Sequence, residues 1–187
     1  MKFPKLVFCA VMGLLLGVLP ATAAPVISVL PHETTVGLGD YFTVDIVITD
    51  VQELYAVDLD VLFDTDIMDY DSYSQGTFLS SEGDWTFVIP PVILESSGLL
   101  QSYVESILSS PDGVSGGGLL FSVTFRATEI GTGMIDIGGE LMDINCMPFE
   151  YATVPGIVTV VPEPASMVMI GSLGAGLLIM RRRRRKV

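Results

Sequence analysis

Six aspartates fall within residues 58–71: Asp58, Asp60, Asp64, Asp66, Asp69 and Asp71. Carboxylates at that density are the donors a calcium ion wants, since calcium takes about six to eight oxygens from a loop that curls round it. The EF-hand form of such a loop needs a glycine at its sixth position and a bidentate acid at its twelfth. Counted from Asp64, those positions hold Asp69 and Gln75, so the motif fails. Asp58 and Asp60 instead suit the outward face of a strand, where charge keeps a sheet soluble. A solvated face is the favoured reading. An irregular calcium site, if present, would draw on Asp64, Asp66 and Asp69.

Catalytic chemistry finds less to work with. A serine triad needs a histidine, and His32, beside Pro31, is the only one in the chain. A Cys-His pair would have to unite His32 with Cys146, which nothing in their spacing supports. Cys146 is expected to be buried as a small hydrophobe among Ile144 and Met147. Paired carboxylates for glycoside cleavage are plentiful in number, but no one pair is singled out. The sequence therefore predicts no catalytic residue and no cofactor beyond the calcium alternative.

Aromatic residues offer another kind of site. Trp85 and Phe87, with Tyr70, Tyr73 and Tyr103, are of the types that stack on sugars. In an all-β protein such residues are more often core, and Trp85 is expected there. Tyr70, Tyr73 or Tyr151 would make better platform positions if exposed.

The charge balance is uneven along the chain. Of nine Lys and Arg, two precede residue 24 and six follow residue 180, leaving Arg126 alone between them. All 22 carboxylates lie from Glu33 to Glu163, so residues 25–163 carry a formal charge of −21 and no lysine. That balance argues against nucleic acid and anionic membrane surfaces as partners, because both need clustered cations.

The elements that must position these residues are strands. Phe42, Val44, Ile46 and Ile48 alternate with polar neighbours, as do Val57, Leu59, Val61 and Phe63, and again Phe121, Val123 and Phe125. Period two marks half-buried strands. Shorter strands are expected at 26–30, 85–89, 92–95, 100–104, 134–137 and 157–161, with Ile107 in a possible helical turn. Turns are expected at Gly37-Leu38-Gly39-Asp40, Ser110-Pro111-Asp112-Gly113, Gly116-Gly117-Gly118 and Gly131-Thr132-Gly133. Many short strands between glycine-rich turns predict an all-β, antiparallel β-sandwich over residues 25–161.

Both ends of the chain carry targeting patterns. Residues 1–24 read as a signal peptide: Lys2 and Lys5, an apolar run, then Ala21-Thr22-Ala23, with cleavage after Ala23 or Ala24. Residues 162–187 hold Pro162-Glu163-Pro164, an uncharged apolar run at 165–180, and a basic cluster at 181–186 of Arg181, Arg182, Arg183, Arg184, Arg185 and Lys186. As a helix the apolar run spans about 24 Å, which snorkelling arginines extend towards a hydrocarbon core of about 30 Å. Positive charge stays cytoplasmic at both ends, so the intervening residues are expected on the outer side of the membrane.

The ordered triple Val161-Pro162-Glu163-Pro164-Ala165-Ser166, apolar helix and arginine cluster resembles the PEP-CTERM sorting signal of exopolysaccharide-producing bacteria. That resemblance implies processing by an exosortase, a transient membrane anchor, and an exported protein released or retained at the cell surface. Residues 25–161 in turn resemble the cohesin domain, a jelly-roll sandwich. The matching features are Val36-Gly37 with Asp40, the stretch from Ala56 to Asp64, Gly76, the Gly118 to Phe125 stretch, Ala127 with Gly131, and a final run from Gly156 to Val160. Thr65 stands where cohesins often have proline. The resemblance implies a non-catalytic surface or matrix protein associated with exopolysaccharide, or else a binding module for a dockerin-like protein or a polysaccharide.

Overall fold

The computed structural model describes residues 24–162, apart from Glu82 and Pro111. Residues 1–23 and 163–187 lie outside this range. The signal peptide, the apolar helix and the basic cluster expected there belong to the sequence reading alone. No helix among the described residues is long and apolar enough to cross a membrane.

The strands are β1 (Val26–Leu30), β2 (Glu33–Gly37), β3 (Tyr41–Leu54), β4 (Ala56–Phe63), β5 (Met68–Gln75), β6 (Thr86–Ile89), β7 (Val92–Leu94), β8 (Leu99–Ile107), β9 (Val114–Ala127), β10 (Gly131–Met142), β11 (Pro148–Phe149), β12 (Ala152–Val154) and β13 (Gly156–Val161). They form two sheets. The five-stranded sheet runs β12-β1-β3-β9-β5. The eight-stranded sheet runs β2-β13-β10-β4-β8-β6, with β7 also on β8 and β11 on β10.

The three alternating runs do what period two demands. Phe42, Val44, Ile46 and Ile48 on β3, Phe121, Val123 and Phe125 on β9, and Val57, Leu59, Val61 and Phe63 on β4 are all buried between the sheets. Phe125 sits among aromatic rings, with centroids 5.7 Å from Phe42 and 5.1 Å from Phe63. Facing inner rows of two sheets make one core, so burial here drives the fold as a unit.

Two sheet changes seal the ends. The chain bends at Pro31-His32 between β1 and β2, and at Pro155 between β12 and β13. Each pair of strands thereby contributes one strand to each sheet. Proline suits both bends because it supplies no N–H to a ladder. The result is two parallel ladders, β1 with β12 and β2 with β13, in a sandwich otherwise antiparallel. The bonds Ala152 N–H to Pro25 O, 2.9 Å, and Ile157 N–H to His32 O, 2.8 Å, join first and last strands.

Some local expectations are corrected. Gly116-Gly117-Gly118 and Gly131-Thr132-Gly133 are within strands, not turns. Glycine serves close approach there: a Cβ on Gly117 would stand 2.7 Å from Ile48 O, and one on Gly118 would meet the Phe78 ring at 2.8 Å. Ile107 lies in strand β8, fully buried, and not in a helical turn. Strands β2 and β5 had no apolar alternation to announce them. In β5 a register shift between Tyr70 and Ser72 breaks the period.

Candidate functional site

The sandwich is held from inside by a polar cluster that its sequence did not signal. On β8, Tyr103 and Glu105 point inward and are 1% exposed each. The Tyr103 hydroxyl donates to Glu105 Oε2 at 2.8 Å, and Gln75 Nε2 donates to Glu105 Oε1 at 2.7 Å. The Tyr103 ring stacks on Phe121 at 4.2 Å and meets Tyr73 edge-on at 6.1 Å. Burial, then the Glu105 charge and its hydrogen bond, push the Tyr103 phenol well above the ordinary tyrosine range. The carboxylate is satisfied on both oxygens and closed to solvent, which makes it structural.

The outer face of the eight-stranded sheet is where exposed chemistry gathers. Ladder register places Glu140 opposite Asp58, Gly138 opposite Asp60, and Asp136 opposite Leu62. Alternation turns Asp58, Asp60 and Leu62 outward on β4, since Val57, Leu59 and Val61 are buried. Asp60 Oδ1 accepts the Ser102 N–H at 2.8 Å. The Tyr151 hydroxyl donates to Gly139 O at 2.8 Å. Its phenol is raised above the usual range, first by burial and then by the charges of Asp60, Glu140 and Asp136. Tyr151 therefore lies beside the acid row. Among the described residues no cation balances that row: Arg126, the only Lys or Arg of residues 24–162, sits on β9 in the other sheet, 5.9 Å from the Tyr41 ring centroid.

An apolar flank adjoins the acids on the β6 side. Phe87 pairs with Ser106 and Ile89 with Val104, while Val104 in turn pairs with Asp58. Phe87 and Ile89 thus share the face of Asp58 and are exposed. Trp85 lies one residue before β6. Its backbone N–H donates to Ser109 Oγ at 2.8 Å, its carbonyl accepts the Leu108 N–H at 2.8 Å, and the residue is 79% exposed. The expectation of a core tryptophan is overturned. Trp85 stands outside at the sheet's edge, where β8 is the ladder partner of β6.

Other candidate residues are dispersed. Asp64 Oδ1 accepts the Asp66 N–H at 3.0 Å, and its carbonyl accepts the N–H groups of Ile67 and Met68, so Asp64 builds the turn between β4 and β5. Asp69 lies beyond that turn, lining a cavity of 170 Å³ with Phe63, Thr65 and Tyr70. Among the described residues, no three His, Cys, Asp or Glu are grouped to hold a metal ion. Tyr70 and Tyr73 are half-buried against the core and Tyr103 is wholly inside it, so these three form no platform. Cys146 is exposed, contrary to expectation: it lies in a tight turn between β10 and β11 with φ of 58°, where the Asp143 carbonyl accepts its N–H. His32 stands in the β1–β2 bend. Neither it nor Cys146 lines the cavity at Asp69 or the grooves of 300 and 310 Å³ beside Ser115.

The strand order and the paired end strands define an all-β sandwich. No protein-family model matches the sequence, and no curated protein matches it either. Among solved structures, the chain is similar to a non-cellulosomal cohesin from the archaeon Archaeoglobus fulgidus: TM-score 0.56 and 18% identity, covering 79% of this chain and 98% of that one. It is similar to a type I cohesin solved in complex with a dockerin from Clostridium thermocellum: TM-score 0.60 and 11% identity, covering 78% of this chain and 99% of that one. A type II cohesin domain from the cellulosome of Acetivibrio cellulolyticus gives a TM-score of 0.58 at 15% identity, covering 73% and 95%. At these identities the likeness establishes the fold.

Proposed function

We propose that residues 24–162 are a non-catalytic binding module that docks a protein partner on the outer face of its eight-stranded sheet. The observation that carries this is the coincidence, on that one face, of exposed apolar side chains at Leu62, Phe87 and Ile89 with an acid row that no cation of residues 24–162 faces. Interfaces place apolar anchors beside polar and charged groups in this way. Dockerin modules are the partner class for which the neighbouring cohesins supply precedent.

The same reading places the module on an exported chain. Its signal peptide and its Pro162-Glu163-Pro164 signal direct export and exosortase processing, leaving the domain at the cell surface or in the exopolysaccharide matrix. A second reading, contact with polysaccharide, rests on the exposed Trp85 ring beside Phe87. The test is binding of calcium-loaded dockerin modules from the same organism to three forms of the chain. Leu62→Ser with Phe87→Ser should lose binding, while Tyr41→Ser, on the other sheet's outer face, should keep it. Equal binding by all three would contradict the assignment of the face.

A further inference from the structure

Two turns at one end of the sandwich each carry a large apolar residue where turns are ordinarily polar, glycine or proline. Between β2 and β3, the Asp40 N–H donates to Gly37 O at 3.1 Å and Gly39 takes φ of 88°, so Leu38 occupies the first corner of a β-turn. Between β9 and β10, residues 128–130 make the connection, and Ile130 is the last of them. Leu38 is 37% exposed and Ile130 52%. Both flank the last residue of β13. The Leu38 N–H donates to Val161 O at 2.9 Å, and the Gly131–Val160 pair of the β10–β13 ladder puts Ile130 beside Val161, itself 37% exposed.

We propose that this end of the sandwich seats on the outer surface of the lipid bilayer, with Leu38, Ile130 and Val161 in the interfacial layer. The inference rests on the exported, membrane-held precursor read above and adds how the domain meets the membrane. Only Pro162, Glu163 and Pro164 separate Val161 from the apolar run at 165–180. Three residues reach about 10 Å at most, so the end that carries Val161 is the end that faces the bilayer. A tether this short replaces affinity with effective concentration, and three side chains then suffice where a free domain would need a larger patch. A second copy fits less well, because three side chains fall short of a dimer interface and each copy carries −21 over residues 25–163. Asp40 and Glu129 stand in the same two turns, so the lipid surface that fits is zwitterionic and not anionic.

The opposite end stands clear of lipid. Met142, twelve residues along from Ile130, pairs with Ala56, Ala56 with Ser106, and Ser106 with Phe87. Phe87, with Trp85 two residues beyond it, is therefore about 40 Å from the seat. The sandwich stands on end, and the outer faces of both sheets run up its sides.

The test uses the full chain in phosphatidylcholine nanodiscs whose acyl chains carry bromine, a quencher confined to the hydrocarbon. The parent reports from Trp85, the only tryptophan in the chain, and its emission should be unaffected. Ile130→Trp in a Trp85→Phe background should lose about half its emission or more and shift to the blue. Thr128→Trp in that background is a second probe of the same turn and should also be quenched. Adding Leu38→Asp should restore most of the emission, and phosphatidylglycerol in place of phosphatidylcholine should do the same at low salt. Quenching that survives Leu38→Asp would reflect the tether alone and overturn the seat. Unquenched emission at both turn positions, in chains that stay in the nanodisc, would overturn it and leave the anchor standing. Quenching of Trp85 as strong as that of Ile130→Trp would mean a domain lying on its side, and would overturn it too. A blue shift that grows with protein concentration, without bromine quenching, would replace the bilayer with a second copy. A chain that fails to enter nanodiscs would contradict the anchor, and the inference with it.

Discussion

The Tyr103 hydroxyl donates a 2.8 Å hydrogen bond to Glu105, two residues along the same strand, inside the core of the sandwich. Both side chains point between the sheets, and Gln75 reaches across from β5, in the other sheet, to the second carboxylate oxygen. One polar contact therefore ties the two sheets together beneath the outer face that carries the acid row.

Tyr103→Phe should leave Glu105 one donor short in a closed site. Chemical denaturation at pH 7 should show a loss of about 1–3 kcal/mol. The pH response should change as well. The folded-state pKa of Tyr103 lies above the ordinary tyrosine value of about 10, so the protonated phenol is favoured by folding. That contribution is intact below pH 10 and is lost as pH rises from the unfolded towards the folded pKa. The parent should therefore lose stability above pH 10 more steeply than Tyr103→Phe. Parallel alkaline slopes would contradict this role.

Gly139 holds the ladder beneath the acid row. Its φ is 111°, and a Cβ there would stand 2.1 Å from Asp58 O. Gly139→Ala should cost at least about 1–3 kcal/mol from backbone strain, and more as β4 and β10 are pushed apart. Thermal unfolding measures it directly. A variant as stable as the parent would show that this ladder yields freely.

Stability should rise with salt. With 22 carboxylates and Arg126 the only cation in residues 25–163, self-repulsion dominates, and the screening length shrinks to about 3 Å at 1 M salt. Melting should move upward between low salt and about 1 M sodium chloride, and the rise should be smaller in Glu140→Gln. A midpoint indifferent to salt would show that the repulsion is negligible.

Much of the fold was legible because alternation survives wherever a strand has one wet and one buried face. Phe42 to Ile48 and Val57 to Phe63 are such stretches. Legibility failed where burial and pattern part company. Strand β5 is mostly polar and interrupted by a bulge. Strand β2 is held mainly by its parallel ladder to β13. Trp85 lies at a sheet edge, a fact of topology that residue type does not encode. Of the site, Asp58 and Asp60 were readable as an outward face. Their meeting with Glu140 and Asp136 depends on the register between β4 and β10, and those residues are far apart in sequence. Glu105 was invisible for a related reason, since its partners come from β5 and from its own strand.

Sorting is tested at the other end of the chain. Glu163→Ala should trap full-length precursor in the membrane if Pro162-Glu163-Pro164 is a processing signal. Immunoblotting of membrane and surface fractions checks it. Unchanged maturation of that variant, in a cell that makes an exosortase, would argue for a plain anchor.

The most direct test of the central claim, a docking face on the eight-stranded sheet, is amide hydrogen exchange of the full chain with and without a bound dockerin module from the same organism. Complex formation should slow exchange in peptides from β4, β6, β8 and β10, which line the outer face, and leave β1, β3 and β9 unchanged. Protection confined to the five-stranded sheet, or a complex that protects neither sheet, would contradict it.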